Sequence, residues 1–348
     1  MRVEIRHWRG MVRNNDIRPV QDPYGNRPHR KLRISVTDRC NFRCSYCVPD
    51  DATDFGEREN LLSFEEISRF VAEAAVPLGI SNLRITGGEP LLRRNLDQLV
   101  GMLRAIDGVQ SIGLTTNASR LGDCAKTLAT AGVDRINISL DTLDRETMKK
   151  LTAVDQLDSV RYGIEQAALA PFASRKLNAV VIRGINDHEL ADLIRFAQSH
   201  SFEMRFIEFM PFGSQWSPDS VVATSEIVES LRAVLGPIQE EAHKLGETAR
   251  RYTLADGTHF GIIPTLSQPF CNHCNRVRIT ASGTILPCLF AEEGPNVRAL
   301  LRANTDPMAL REAVKESLGT KGAGFLQEMA DRNLPTNLKE RDMRGIGG

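Results

Sequence analysis

No apolar run in this chain of 348 residues approaches the ~20 residues that a membrane-spanning helix needs. Net charge is also absent: 44 lysines and arginines balance 44 aspartates and glutamates. Nothing global therefore draws the chain to nucleic acid or to an anionic membrane, although a local basic patch stays open. The first twenty residues are rich in arginine but have no apolar core, which excludes a secretory signal. They carry Glu4 and Asp16 and no serine, which argues against an organelle presequence. We expect a cytoplasmic protein with a frayed basic arm at its start. No internal repeat or low-complexity tract is visible. The hydrophobic share of 41% and charged share of 25% are those of an ordinary globular chain. The length fits two domains, or one α/β barrel of roughly 250 residues with an appendage.

Cysteines are few, seven in all, but six of them fall into two triplets. Cys40, Cys44 and Cys47 are spaced Cys-x3-Cys-x2-Cys, directly after an apolar strand. Three thiols within eight residues are too close for a disulfide framework and one short of a four-thiolate set. They can hold three corners of a four-iron cluster and leave one iron open to a small molecule. Cys271, Cys274 and Cys288 follow the spacing Cys-x2-Cys-x13-Cys. Zinc with His273 as fourth ligand is one reading, but His273 sits awkwardly between two of the cysteines; a second cluster is the other. Cys124 lies in a helical stretch and reads as a core thiol.

Strands and helices alternate from Lys31 to residue 235. Strand Lys31–Val36 precedes the first triplet. Ser63 and Glu66 form a capping box that opens a helix. NLRIT then ends in Gly87-Gly88-Glu89-Pro90, followed by a helix from Asn95 to Ile106. SIGLTTN leads to a helix over 121–131. DRINISLD leads through a short acidic connection to a helix near 158–170. KLNAVVI precedes a helix over Asp187–His200, and EMRFIEFM precedes one near 224–235. Six βα units in a row predict a parallel sheet, in either an incomplete barrel or a doubly wound arrangement. In both, chemistry gathers at the carboxyl ends of the strands, where the first triplet, Thr86–Pro90, Thr115–Asn117, Ser139–Asp141 and Glu208–Gly213 all fall. After about residue 240 the pattern changes: RYTLAD and HFGIIP read as antiparallel strands, then the second triplet, then a helical tail ending in Gly347-Gly348.

The glycines of GGEP let backbone approach a ligand, or form a plain tight turn, with Glu89 ordering the loop. Arg276 and Arg278 are alternate residues of a strand and share a face, suited to a phosphate or carboxylate, or to ion pairs. Arg33 precedes the first triplet on its strand, and Lys176 opens the fifth strand as a surface lysine.

The CxxxCxxC motif with Tyr46 before its last cysteine, followed by GGEP after a strand, resembles the radical S-adenosylmethionine (SAM) superfamily. LRISVTDRCNFRCSYC, RITGGEPLLR, TTN, NISLD, RFIEFMPFG, FCNHCNRVRIT and the terminal Gly-Gly together resemble the GTP 3′,8-cyclase family, which opens molybdenum cofactor biosynthesis. The likeness runs from about Asp22 to Gly348. It implies an α/β fold, an incomplete (βα)6 TIM-type barrel closed by a C-terminal α+β region. The expected divisions are an arm (1–21), the radical SAM barrel (22–238) and a C-terminal domain (239–348). It further implies a lyase with two [4Fe-4S] clusters, one on Cys40, Cys44 and Cys47 and one on Cys271, Cys274 and Cys288. SAM would meet Tyr46, Gly88, Ser139 and Met210. GTP would meet Arg33, Arg84, Thr115, Lys176, Arg276, Val277 and Arg278, with Arg33, Arg276, Arg278, Gly347 and Gly348 serving the reaction. A reductant such as flavodoxin or ferredoxin, the next enzyme (cyclic pyranopterin monophosphate synthase) and a homodimer are the implied partners, with no membrane and no nucleic acid. Leu151–Asp155 departs from the family, which usually has a glycine and a basic residue after Leu-Thr; we read this as a surface connection. Two rivals are a radical SAM enzyme that modifies peptides and a non-catalytic zinc or iron–sulfur module.

Overall fold

A computed structural model describes residues 19–24, 27–49, 55–213, 215–243, 246–324 and 342–347. The basic arm before residue 19 and Gly348 lie outside the described residues.

The six expected units are present. They comprise β1 (Lys31–Ser35), α1 (Phe64–Phe70), β2 (Asn82–Thr86), α2 (Leu96–Arg104), β3 (Ser111–Thr116), α3 (Ala125–Ala131), β4 (Arg135–Ser139), α4 (Arg145–Thr152), α5 (Leu157–Leu169), β5 (Ser174–Val181), α6 (Leu190–Ser199), β6 (Glu203–Glu208) and α7 (Thr224–Leu235). The capping box forms as expected: Glu66 N–H donates to Ser63 Oγ at 3.1 Å, and Ser63 N–H donates to Glu66 Oε2 at 2.7 Å. The acidic connection after β4 is instead a helix, α4, capped by Asp144, whose Oδ2 accepts the Thr147 N–H at 2.7 Å.

β1 to β6 are parallel neighbours in chain order. The later chain adds β7 (Ile238–Glu240), β8 (Arg250–Leu254), β9 (His259–Ile263), β10 (Arg276–Ile279) and β11 (Ile285–Leu286), then α8 (Arg298–Arg302) and α9 (Pro307–Gly319). β8 and β9 are antiparallel, as read from the sequence. β9 also lies parallel to β6, while β10 lies parallel to β1 at the opposite edge. The sheet of eleven strands does not close.

Alternation within the strands decides between barrel and doubly wound sheet. Leu32, Ile34, Leu83, Ile85, Ile112, Leu114, Ile136, Ile138, Leu177, Met204 and Phe206 are buried in one core with Leu99 and Leu103 of α2. The intervening positions, among them Arg33, Thr115, Asn137, Ser139, Asn178 and Arg205, line a single cavity. A doubly wound sheet needs apolar cover on both faces; here one face is dry and the other polar and enclosed. That is a partial barrel.

The connection 264–275 has to cross from the carboxyl end of β9 to the amino end of β10, from one edge of the open barrel to the other. Its two ends are tied accordingly. Thr265 Oγ1 donates to the Glu208 carbonyl at the top of β6 at 3.0 Å. The Asn275 carbonyl accepts the N–H groups of Arg30 and Lys31 at the foot of β1, each at 3.1 Å.

The Leu151–Asp155 stretch is not merely a surface connection. The Leu151 and Thr152 carbonyls accept the N–H groups of Ser45 and Arg43, each at 2.9 Å, so the end of α4 holds the first cysteine loop. Ala153, just beyond, is exposed with φ of 60°. An L-residue pays for that left-handed conformation and glycine does not, which gives a physical reason for the glycine usual in the family. Ala153→Gly should raise stability by about 1 kcal/mol in denaturant unfolding. A loss of stability would show that the methyl group has a packing role.

Candidate active site

The first triplet sits where β1 ends. The Cys47 and Val48 N–H groups donate to the Cys44 carbonyl at 2.9 and 3.0 Å, so the chain turns and brings the three cysteines to one wall. All three line the cavity, and none is in a disulfide. Burial pushes the Cys40 thiol up to about 11 and the Cys47 thiol up to about 12. As free thiols they hold their protons; a bound metal makes the thiolates stable by supplying the missing positive charge.

GGEP docks edge-on against this loop. Gly88 N–H donates to the Thr37 carbonyl and Glu89 N–H to the Arg39 carbonyl, both at 2.8 Å. A Cβ on Gly88 would overlap the Arg39 carbonyl, so the docking itself requires glycine. Glu89 orders the turn. It accepts from Thr116 Oγ1 at 2.7 Å, Asn117 N–H at 2.7 Å and Leu91 N–H at 2.9 Å, which ties GGEP to the Thr-Thr-Asn motif. Burial pushes its carboxyl up to about 7, against the pull of those donors. Asp141 does the same for the far wall, accepting from the Tyr46 hydroxyl at 2.6 Å and from Val180 N–H at 2.8 Å. Tyr46, Gly88, Ser139 and Met210 all line the cavity beside the cysteines.

Below them the wall becomes basic. Cross-strand register puts Arg278, Arg33 and Arg84 side by side on β10, β1 and β2. Lys31 and Arg276 are paired below them, and Arg135, Lys176 and Arg205 continue the inner face on β4, β5 and β6. Among the described residues of these six strands, the eight cations meet one carboxylate on the inner face, Glu203, which Arg251 of β8 also approaches at 3.6 Å. Arg84 reaches across Gly113, where a side chain would collide with its guanidinium, and donates to the Leu114 carbonyl at 3.1 Å. Burial, then the neighbouring arginines, pull Arg33 and Arg84 down to about 9. Both stay charged at neutral pH. Like charges opposed in a buried sheet are unfavourable without an anion between them.

The second triplet closes the other end of the same cavity, about 370 Å³ in volume and lined by all six cysteines. Cys271 and Cys274 lie at the amino end of β10, not at a carboxyl end. Arg276 Nε and Nη2 both donate to Cys274 Sγ at 3.4 Å, and its guanidinium stands 4.6 Å over the Phe270 ring. Burial would raise the Cys274 thiol, but Arg276 and Lys321 outweigh it and bring the thiol down to about 6. A thiolate at neutral pH suits a metal ligand. Among the described residues no three cysteine, histidine or acidic groups converge on one ion. The corners of a four-iron cluster stand further apart than the ligands of one zinc and do not require such convergence.

The other expected residues fall as follows. Arg33, Thr115, Arg276 and Arg278 line the cavity. Gly347 enters it through its carbonyl, which accepts from Arg278 Nη1 at 2.6 Å and Arg33 Nε at 3.2 Å. Lys176 is no lone surface lysine; it faces inward and pairs with Glu203 at 3.1 Å. Val277 is buried on the opposite face from Arg276 and Arg278, and only its backbone stands near them. Sequence reading missed Arg205, Asn137 and Asn178, which counting alternate residues along each strand would have found. It also missed Arg27 and Lys321, for which no local signal exists.

Comparison with known proteins bears on this arrangement. Family models match the radical SAM superfamily over residues 34–197 and Molybdenum Cofactor Synthesis C over residues 202–326. A GTP 3′,8-cyclase of Acidothermus cellulolyticus is 42% identical over 310 residues, 86% of this chain and 84% of the relative. One of Rhodopirellula baltica is 39% identical over 333 residues, 94% of this chain and 91% of the relative. This chain belongs to the GTP 3′,8-cyclase family. It is a radical SAM enzyme, and membership brings [4Fe-4S] clusters and SAM with it. The fold is shared with Streptococcus suis SuiB, solved bound to S-adenosylmethionine, at a TM-score of 0.59 and 15% identity, covering 88% of this chain and 73% of SuiB. No helix of the described residues is long and apolar enough to cross a membrane.

The crowded arginines predict anion stabilisation. GTP or inorganic tripolyphosphate at 100 times its dissociation constant should stabilise the chain by about 2.7 kcal/mol, read as a rise of several degrees in Tm. Guanosine at the same molar concentration as the tripolyphosphate should do much less. Equal shifts from guanosine and tripolyphosphate would contradict the assignment of the basic wall.

Proposed function

We propose that this chain converts GTP to (8S)-3′,8-cyclo-7,8-dihydroguanosine 5′-triphosphate, the first step of molybdopterin formation, inside the cavity described above. The observation that carries this reading is the placing of two cysteine triplets at opposite ends of one cavity with a basic wall between them. Cys40, Cys44 and Cys47 would hold the first [4Fe-4S] cluster, with SAM against Tyr46, Gly88, Ser139 and Met210. Cys271, Cys274 and Cys288 would hold the second. When bound, the first cluster and SAM supply a radical that abstracts hydrogen from the substrate.

The chain's own residues position GTP for that event. Arg33, Arg205 and Arg278 line the space between the triplets and would neutralise a triphosphate, Thr115 would offer it a hydroxyl donor, and Arg84 would add its charge from beside Arg33. Arg276 has five N–H groups and directs two at Cys274, so donors are left for GTP. Lys176 reaches a phosphate by exchanging Glu203 for it. Val277 contributes through its backbone. Gly347 enters beside Arg278, and Gly348 is assigned to the same tail by the family resemblance. Met343 and Ile346 pack with Phe212, and Phe212 stacks on Phe290 at 5.0 Å, an apolar lid that keeps water from the reacting atoms.

The division into arm, barrel and C-terminal domain belongs to this proposal. So do a flavodoxin- or ferredoxin-type reductant, transfer of product to cyclic pyranopterin monophosphate synthase, and a homodimer. Anaerobic incubation of reconstituted protein with SAM, reductant and GTP should yield the cyclised nucleotide. Release of 5′-deoxyadenosine with no GTP-derived product would overturn the reading. Cys47→Ala should abolish SAM cleavage. Arg276→Ala with Arg278→Ala should weaken GTP binding by at least tenfold in equilibrium titration and leave SAM cleavage measurable. Unchanged GTP binding would refute the role given to this pair.

A further inference from the structure

We infer that Lys321 is a positioning residue for the second cysteine triplet, a buried cation that donates to Cys274 and sets the electron affinity of the cluster held there. The inference rests on the reading that Cys271, Cys274 and Cys288 bind a [4Fe-4S] cluster.

Lys321 follows α9 and is only 5% exposed. A lysine is seldom buried unless its ammonium is matched by acceptors. Its Nζ donates to the Arg276 carbonyl at 2.7 Å and to Cys274 Sγ at 3.6 Å. The segment around it is pinned from the far side by Arg27. That guanidinium donates to the Gly322 carbonyl at 3.0 Å and to the Cys271 carbonyl at 2.7 Å. Arg27 is in turn held by Asp22, at 2.8 and 2.9 Å, and Asp22 also contacts His29 Nε2 at 2.8 Å. Asp22 and His29 are buried. Burial, then the Lys321 charge, push the His29 imidazole down to about 4, so at neutral pH it is an uncharged donor to Asp22. Asp22 therefore cancels Arg27, and the cations left acting on the thiolates include Arg276, Arg278 and Lys321; of these, Arg276 and Lys321 donate to Cys274 Sγ. Arg276 has GTP as a further task; Lys321 has no other acceptor among its bonds.

A three-thiolate [4Fe-4S] cluster gains one negative charge when it accepts an electron. A fixed cation bonded to a ligating sulfur favours the reduced state and raises the potential. Removing the charge must move the potential to a more negative value, whereas a purely structural lysine predicts no such shift once the cluster is in place.

The test uses the full chain with Cys40, Cys44 and Cys47 changed to Ser, so that only the second triplet can take up a cluster. After anaerobic reconstitution, iron and sulfide are counted and the cluster is titrated with Ti(III) citrate under EPR. The parent should hold four irons. Lys321→Met should retain them and reduce at a more negative potential, with Lys321→Arg close to the parent. If the Met variant fails to hold iron, Lys321→Gln keeps a donor for the Arg276 carbonyl without the charge and should show the same negative shift. An unchanged potential in an iron-loaded Met or Gln variant overturns the role of Lys321. A parent that takes up no iron overturns the cluster reading, and this inference with it.

Discussion

Arg33 has Arg84 directly across from it on one side and Arg278 on the other. Three guanidinium groups on neighbouring parallel strands, turned toward an enclosed space, are a standing electrostatic cost. Much else follows from that arrangement. The lumen cannot collapse into an apolar core, because its inner positions are charged. The outer positions carry most of the hydrophobic burial, and the alternation along β1 to β6 follows from that, with Val180 and Ile207 apolar on the inner face. The cost turns into affinity when a polyanion enters, and a net-neutral chain thereby holds a strongly positive interior.

The ends of the lumen are organised by buried carboxylates of a different kind. Glu89 joins GGEP to the Thr-Thr-Asn turn, and Asp141 fixes Tyr46. Glu208 accepts from Thr224 N–H and Oγ1 at 2.8 and 2.7 Å, from Leu266 and Ser267 N–H at 2.8 and 2.9 Å, and from the Ser267 hydroxyl. It thus anchors the connection that carries Cys271 and Cys274 across the barrel opening. Each of these acids takes up donors from loops, from the end of a strand or from the start of a helix that no ladder satisfies. Their work is to hold loops, and the loops hold the cysteines.

The βα alternation was legible because strands with one buried face and helices with one buried stripe leave distinct periods. The first triplet, GGEP and the arginines of β10 were legible because their chemistry lies in short local motifs. Three things were not. α4 was read as a connection because its few apolar residues, Met148 and Leu151, make too short a stripe. The barrel could not be separated from a doubly wound sheet, since that depends on which face is covered. The support behind the second triplet was invisible because Lys321 lies nearly 300 residues from Asp22 and Arg27 in sequence, and the segments meet only where β10 joins β1.

The central claim is that both triplets serve one molecule in one cavity, so that the hydrogen removed comes from the ribose lying between them. GTP carrying deuterium at C3′ tests this most directly, with mass spectrometry of the 5′-deoxyadenosine formed in an anaerobic turnover. The account predicts transfer of deuterium from C3′ into 5′-deoxyadenosine. Unlabelled 5′-deoxyadenosine alongside cyclised product would contradict it.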